Sequence, residues 1–225
     1  QEARRVVEGS IARDLPAWKR VTDVAGSLLA LALASPLFLT MAGYVKLVSP
    51  GPVFFRQERV GYRGRPFTFL KFRTMHVNND AAQHKAYLKQ LINSDDPMEK
   101  LDADRDPRII PGGKIIRKAC LDEFPQLVNV LKGEMSLVGP RPCLPYEAQE
   151  YLRWHKNRFD TRPGMTGLWQ VSGKNRLTFK QMIRLDIAYC RDMCLWLDVK
   201  ILLRTVPTLI GLFFEGMGNR LRRRA

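Results

Sequence analysis

Val24–Val45 reads VAGSLLALALASPLFLTMAGYV, 22 residues without a charge. How this stretch meets a bilayer decides the fold. A straight helix of that length would just cross a hydrocarbon core of ~30 Å at ~1.5 Å per residue. Pro36 argues against a plain span: it removes a backbone donor and clashes with the carbonyl of Ala32, which predicts a bend near Ser35. The arm from Val24 to Ala34 then reaches only about 16 Å, half a bilayer. Arg13, Lys19 and Arg20 precede the stretch, and Lys46, Arg56, Arg59, Arg63 and Arg65 follow it. The positive-inside rule cannot place both flanks on one side of a spanning helix, whereas a hairpin can. On these grounds a simple anchor and a re-entrant hairpin both stay open. A cleaved signal peptide does not, because the apolar run continues past the small-residue ALAS site and the preceding segment is long.

The 225 residues suffice for one domain with a sizeable core. A net charge of +15 points to an anionic partner: nucleic acid, an anionic membrane or a phosphorylated substrate. Cys120, Cys143, Cys190 and Cys194 lack CxxC pairing and read as reduced, cytosolic thiols. Cys190 and Cys194 can share a helix face, but two thiols do not complete a zinc site.

Downstream, RKACLDEFPQLVNVLKG (117–133) sets Asp122 and Glu123 side by side just after Arg117 and Lys118. Leu127, Val128, Val130 and Leu131 at helical spacing, ended by Gly133, predict a short helix. Asp122 is the expected N-cap, with Glu123 and Pro125 in the first turn. Helix dipoles favour such acidic first turns by only about 0.3–1 kcal/mol, so this pair by itself does not make an active site.

Around it, GPVFFRQERVGYRGRPFTFLKFR predicts a β-hairpin turning at Gly61–Gly64. From His76 to Arg108 the chain is polar, with Pro97 and Pro107, and predicts a mobile helical insert or lid. This insert contains DAD at Asp102–Asp104, a metal-binding pattern that is also common in solvated acidic runs. MSLVGPRP places Arg141 on a stiff Gly139–Pro140 turn, and TRPGMTGLWQVSGKN repeats the device with Arg162, Pro163 and Gly164. A fixed planar guanidinium suits phosphate, whose oxygens it binds in pairs. LWLDVKILLRTVPTLIGLFF, interrupted by Lys200, Arg204 and Pro207, fits an interfacial helix better than a second span. Four arginines among the last six residues favour anionic lipid headgroups.

These stretches together resemble the bacterial sugar transferase family, the monotopic polyprenol-phosphate phosphoglycosyl transferases. The resemblance rests on SPGPVFFRQERVG, FLKFRTM, DPRIIPGGKIIRKACLDEFPQLVNVLKGEMSLVGPRP, RPGMTGLWQVSG and WLDVKILLRTV, in order from about Lys19 to Val206. One departure is Ala119–Cys120, where the family often has a hydroxyl residue before LDE.

The resemblance implies an α+β fold, mostly helical with a small sheet, one re-entrant membrane helix and interfacial amphipathic helices. It implies a single membrane-associated domain: a helix-break-helix at 20–48 broken at Ser35–Pro36, a catalytic core at 49–206, and a basic interfacial tail at 207–225. It implies a bacterial inner-membrane location with the catalytic domain on the cytoplasmic face. The implied reaction moves a sugar phosphate from a UDP-sugar to polyprenol phosphate, undecaprenyl phosphate in bacteria, and releases UMP. By the same resemblance Asp122 is the nucleophile that forms a covalent phosphosugar intermediate and contacts Mg²⁺, and Glu123 supports the metal or proton handling. Arg117 and Arg141, and with less weight Lys71, hold phosphate, while Arg162, Pro163 and Gly164 bind near the uridine. A carboxylate must be ionised to attack, and a helix N-terminus beside Arg117 and Lys118 favours that form. LWQVSGKNRLTF is similar to members that use UDP-glucose or UDP-galactose. A homodimer is compatible with this reading.

Two other readings are weighed. A glycosyltransferase releasing UDP would use the DAD site, but no glycine-rich strand-turn-helix nucleotide fold is apparent. A membrane-tethered nucleic-acid-binding protein lacks a recognisable module and spreads its basic residues along the chain.

Overall fold

The computed structural model describes residues 14–76, 87, 90–92, 94, 96–97, 108–173 and 176–222, with side chains through residue 211. Asp102–Asp104 and most of the expected insert lie outside them. The ends of that insert are pinned by a Met75–Ile109 bridge.

Helix α1 runs from Ala17 to Val48 and is long and apolar enough to cross a membrane. Ser35 and Pro36 lie inside it rather than between two helices. Pro36 has no N–H to offer the Ala32 carbonyl, and the Ser35 hydroxyl donates to that same carbonyl at 2.9 Å. The helix therefore continues with the orphaned acceptor satisfied.

Both arms of α1 dock on the rest of the chain. On the N-terminal arm Lys19, Asp23 and Ser27 are buried. Asp23 accepts from the Ser136 hydroxyl and the Leu137 amide, each at 2.9 Å. Gly26 faces Leu137 so closely that a Cβ there would lie 2.6 Å from its Cδ1. The Arg20 guanidinium donates to the carbonyls of Val130 and Leu131. On the C-terminal arm Met41 and Val45 are buried, and Phe38 packs 4.9 Å from the Phe72 ring. Leu28, Leu29, Leu33, Leu37, Leu39 and Leu47 face outward, an exposed apolar surface along the middle and far end of the helix.

Strands β1 (Phe54–Val60) and β2 (Pro66–Phe72) form the expected antiparallel hairpin, with Phe54 opposite Phe72 and Val60 opposite Pro66. Its 3-10 turn, Tyr62–Gly64, holds Arg63 and Gly64 at positive φ. Short helices α2 (Gly113–Lys118) and α3 (Gln126–Lys132) follow. Then come β3 (Ser136–Val138), α4 (Pro145–Gln149), a 3-10 stretch (Arg153–Asp160), β4 (Gly164–Thr166) and α5 (Leu168–Val171). Strands β3 and β4 pair in parallel. Among the described residues the strands form two separate two-stranded sheets.

Helix α6 (Phe179–Asp192) starts on a capping box, Thr178 accepting from the Gln181 amide. It buries Phe179, Met182 and Ile183 against Val60, Tyr151, Phe159 and Trp169. Helix α7 (Leu195–Arg222) continues through Pro207. It buries Ile201 against Val138 and Tyr189 and exposes Trp196, Leu202, Leu203, Val206 and Ile210. The helix thus has a buried side and an exposed apolar side.

Candidate active site

Asp122 is not an N-cap. It lies in a one-turn 3-10 segment, Leu121–Glu123, and α3 begins only after Pro125. Cys120, left-handed at φ 54°, ends the run from α2 and reverses the chain into this turn. A non-glycine residue there costs about 1–2 kcal/mol, strain of the kind retained at functional sites. Gly133 closes α3 at φ 81°, as its position after the apolar run predicts.

The turn sits beside β2. Asn129 of α3 is buried and its amide completes the edge of that strand: Nδ2 donates to the Thr68 carbonyl at 2.7 Å, and Oδ1 accepts from the Leu70 amide at 3.1 Å. This side chain substitutes for a missing neighbouring strand and fixes α3 against the residue before Lys71. Burial lowers the pKa of Lys71, the charge of Asp122 opposes that, and Arg117 and Arg59 add to it. Lys71, Asp122, Glu123 and Arg117 are therefore one electrostatic group. The Lys71 ammonium also lies 5.2 Å from the centre of the half-exposed Phe55 ring.

A second group surrounds Arg141. Its side chain is about one quarter exposed, and its guanidinium donates to fully buried Glu147 at 3.2 Å. Glu147 also accepts from the Tyr151 hydroxyl at 2.8 Å. Burial would push the Glu147 carboxyl up, but the charges of Arg141 and Arg158 outweigh it and hold the pKa below the ordinary value. Arg158, itself buried, donates to the Arg141 carbonyl, the Tyr151 hydroxyl and Asp186. Arg141 is thus held from beneath by a buried acid and at its own backbone by a buried guanidinium. Arg59, on β1, belongs to both groups, because its charge bears on Lys71 and on Arg141.

The two proline–glycine turns meet backbone to backbone. Gly164 donates to the Pro140 carbonyl at 2.8 Å and Gly139 to the Thr166 carbonyl at 2.9 Å. A Cβ on Gly139 would stand 2.3 Å from the Arg162 carbonyl oxygen, and one on Gly164 would stand 2.1 Å from the Gly139 nitrogen. Only glycine fits at this crossing. Arg162, Pro163 and Gly164 thereby lie against the turn that presents Arg141.

Of the residues expected from sequence, Lys71, Arg117, Asp122 and Glu123 come together, as do Arg141 and the Arg162–Gly164 turn. Ser35 and Pro36 lie apart on α1. Arg59, Glu147, Tyr151, Arg158 and Asp186 were not expected. The alternation of β1, where Gln57 and Arg59 are half-buried between exposed Arg56 and Glu58, was the one available signal. Glu147 and Arg158 are six and seventeen residues from Arg141, and no local pattern pairs them.

Among the described residues no group of three or more His, Cys, Asp or Glu side chains gathers to hold a metal. Mg²⁺ commonly takes one or two carboxylates and completes its shell with substrate phosphate and water. The adjacent Asp122 and Glu123 fit that donor set.

The profile described as bacterial sugar transferase matches residues 15–211. The chain is 43% identical over 200 residues to the UDP-glucose:undecaprenyl-phosphate glucose-1-phosphate transferase of Caulobacter vibrioides, covering 85% of this chain and 69% of that protein. It is 37% identical over 191 residues to the exopolysaccharide production protein ExoY of Sinorhizobium fredii, covering 85% and 84%. It is 38% identical over 198 residues to the undecaprenyl-phosphate galactose phosphotransferase of Salmonella typhimurium, covering 85% of this chain but 40% of that longer protein. With its motifs gathered into one charged site and its profile matched over nearly all the described chain, this protein belongs to the bacterial sugar transferase family.

Proposed function

We propose that the protein is a polyprenol-phosphate phosphoglycosyl transferase of exopolysaccharide synthesis, using a UDP-sugar as donor and undecaprenyl phosphate as acceptor. The observation that carries this reading is the meeting of Asp122 and Glu123 with Lys71 and Arg117, joined through Arg59 to Arg141. A nucleophilic carboxylate attacking a diphosphate needs cations to offset the approach of like charges.

In the first half-reaction a carboxylate oxygen of Asp122 attacks the sugar-bearing phosphorus. The phosphoanhydride bond breaks, and UMP leaves with the electron pair. In the second half-reaction an oxygen of the polyprenol phosphate attacks the same phosphorus. The aspartyl–phosphorus bond breaks, which restores the Asp122 carboxylate and yields polyprenol-diphosphate-sugar. Lys71, Arg117 and Arg141 hold phosphate oxygens, and the turn at Arg162–Gly164 receives the uridine end. Asp122 and Glu123 would hold Mg²⁺, which when bound neutralises diphosphate charge and orients the donor.

The docking of both arms of α1 on one domain supports a monotopic arrangement, with the exposed leucines in one leaflet and the domain on the cytoplasmic face. The exposed apolar side of α7 and the terminal arginines suit the same surface, with anionic lipids as partners.

Purified enzyme, a panel of UDP-sugars and undecaprenyl phosphate test this directly. The expected nucleotide product is UMP. Release of UDP would replace the proposal with ordinary glycosyl transfer.

A further inference from the structure

Arg59 has a place in the site that its hydrogen bonds alone do not explain. It projects inward from β1 with its guanidinium carbon 5.2 Å from the centre of the Phe69 ring. One terminal nitrogen donates to the Pro142 carbonyl at 3.2 Å and the other to the Gln57 side-chain oxygen at 2.8 Å. Its Nε–H is buried and has no partner among the described residues. It also has no carboxylate partner among them, since Glu147, the acid whose charge reaches it, is committed to Arg141 and Tyr151. Burial, followed by the neighbouring charge of Arg141, pushes its pKa down to about 10. Arginine ordinarily stays charged far above that.

A guanidinium whose Nε–H is buried without a partner, with no carboxylate beside it among the described residues, is costly to keep. Its charge bears on Lys71 and that of Arg141 bears on it, and this concentration of positive charge raises the cost further. An anion bound here offsets that cost, so part of the penalty of burying the donor is recovered on binding. The bond to Pro142 adds a mechanical role, because Pro142 is the residue after Arg141 in the turn that presents it.

We infer that Arg59 is a positioning residue for a diphosphate group: it ties the Arg141 turn to β1 and supplies the unbalanced charge that joins the Lys71–Asp122 group to Arg141. The identity of that diphosphate as the donor's rests on the functional reading above.

Arg59→Gln and Arg59→Lys in the full-length protein test the inference through donor kinetics and through thermal unfolding with and without UDP. Loss of one charged hydrogen-bonding group predicts a fall in kcat/KM of about ten- to a hundred-fold for the glutamine variant, mostly as a higher donor KM. The lysine variant, which keeps the charge but loses the fork, should fall between. The signature of this role is in unfolding: without ligand the glutamine variant melts at or above the wild-type temperature, yet UDP raises its Tm much less. A glutamine variant that melts lower while keeping the full UDP shift makes Arg59 merely structural and overturns the inference. Should the glutamine variant not fold, a lysine variant with unchanged donor KM and UDP shift does the same. A wild type that releases no UMP defeats the functional reading alone, because the UDP shifts still decide the role of Arg59. A wild type that UDP does not stabilise defeats the inference itself.

Discussion

Asp122 and Lys71 are 51 positions apart, and their chemistry depends on being neighbours. If Asp122 is the nucleophile, Asp122→Asn abolishes both turnover and the phosphosugar adduct seen by intact mass after incubation with donor. Fold stability should hold, since the substitution is nearly isosteric and Asp122 caps no helix. An adduct persisting on the asparagine variant would remove Asp122 from that role. Lys71 carries a pH prediction. Its pKa is lowered by burial, so the charged form is lost on raising pH sooner than for a free lysine near about 10.4. The alkaline limb of kcat/KM should therefore fall below the ordinary lysine range, and Lys71→Arg should move that limb upward because arginine stays protonated. Coincident limbs in the two proteins would show that Lys71 does not set it.

Two elements far apart in sequence, α1 and α7, are joined by a buried ion pair. Lys19 donates to Asp198 at 2.5 Å, to the Val138 carbonyl at 2.8 Å and to the Tyr189 hydroxyl at 3.0 Å, with side-chain exposures of 3% for Lys19 and 8% for Asp198. Lys19 thus serves the interior, in addition to its place in the basic flank of the apolar stretch. Breaking one side of such a pair leaves an uncompensated buried charge, so Asp198→Ala should destabilise by about 3–5 kcal/mol. Lys19→Met with Asp198→Leu should cost far less than the two single changes summed, because neither charge remains. Chemical denaturation of the four proteins in detergent measures the coupling, and additive losses would reduce the pair to two separate contacts. Arg20 makes a parallel link, capping the C-terminal carbonyls of α3, the helix that follows the Asp122 turn. The apolar helix and the active-site turn are thereby built on one another.

At the scale of the whole molecule, the two arms of α1 grip other described elements at opposite ends of an apolar surface. Lys19 and Asp23 hold one end to β3 and α7, and Phe38 and Met41 hold the other to the β1–β2 hairpin. Spanning would require one of these grips to let go. We expect both arms to stay on the cytoplasmic side. A single cysteine at Leu15, in a background lacking the four native cysteines, should resist a membrane-impermeant thiol reagent applied from the periplasm and react once the membrane is opened. Replacing Ser35 and Pro36 together by alanine returns the backbone donor to the Ala32 carbonyl and removes the proline clash within a helix already long enough to span. A measurable fraction should then become labelled from outside, kept modest by the buried contacts of Lys19 and by Arg20. Labelling of the unmutated segment from outside would make it a plain anchor.

The apolar stretch, the hairpin, the α3 stop at Gly133 and the helix at α7 were legible in the sequence. Each is set by periodicity, by glycine and proline, or by a charge-free run, all read within one segment. The Asp122–Glu123 turn was legible as an acidic pair but misplaced as a helix cap. Its geometry comes from left-handed Cys120, a conformation cysteine does not advertise. Ser35–Pro36 was legible as a proline conflict, and its local remedy, the Ser35 hydroxyl on the Ala32 carbonyl, follows from residues three apart. Only the tertiary structure could decide that Glu147, Arg158 and Asp186 sustain Arg141, that Asn129 completes the edge of β2, and that Lys19 meets Asp198. Those partners are selected by burial, since a charge or amide removed from water must find a counterpart wherever the folded chain supplies one, and sequence distance has no part in that choice.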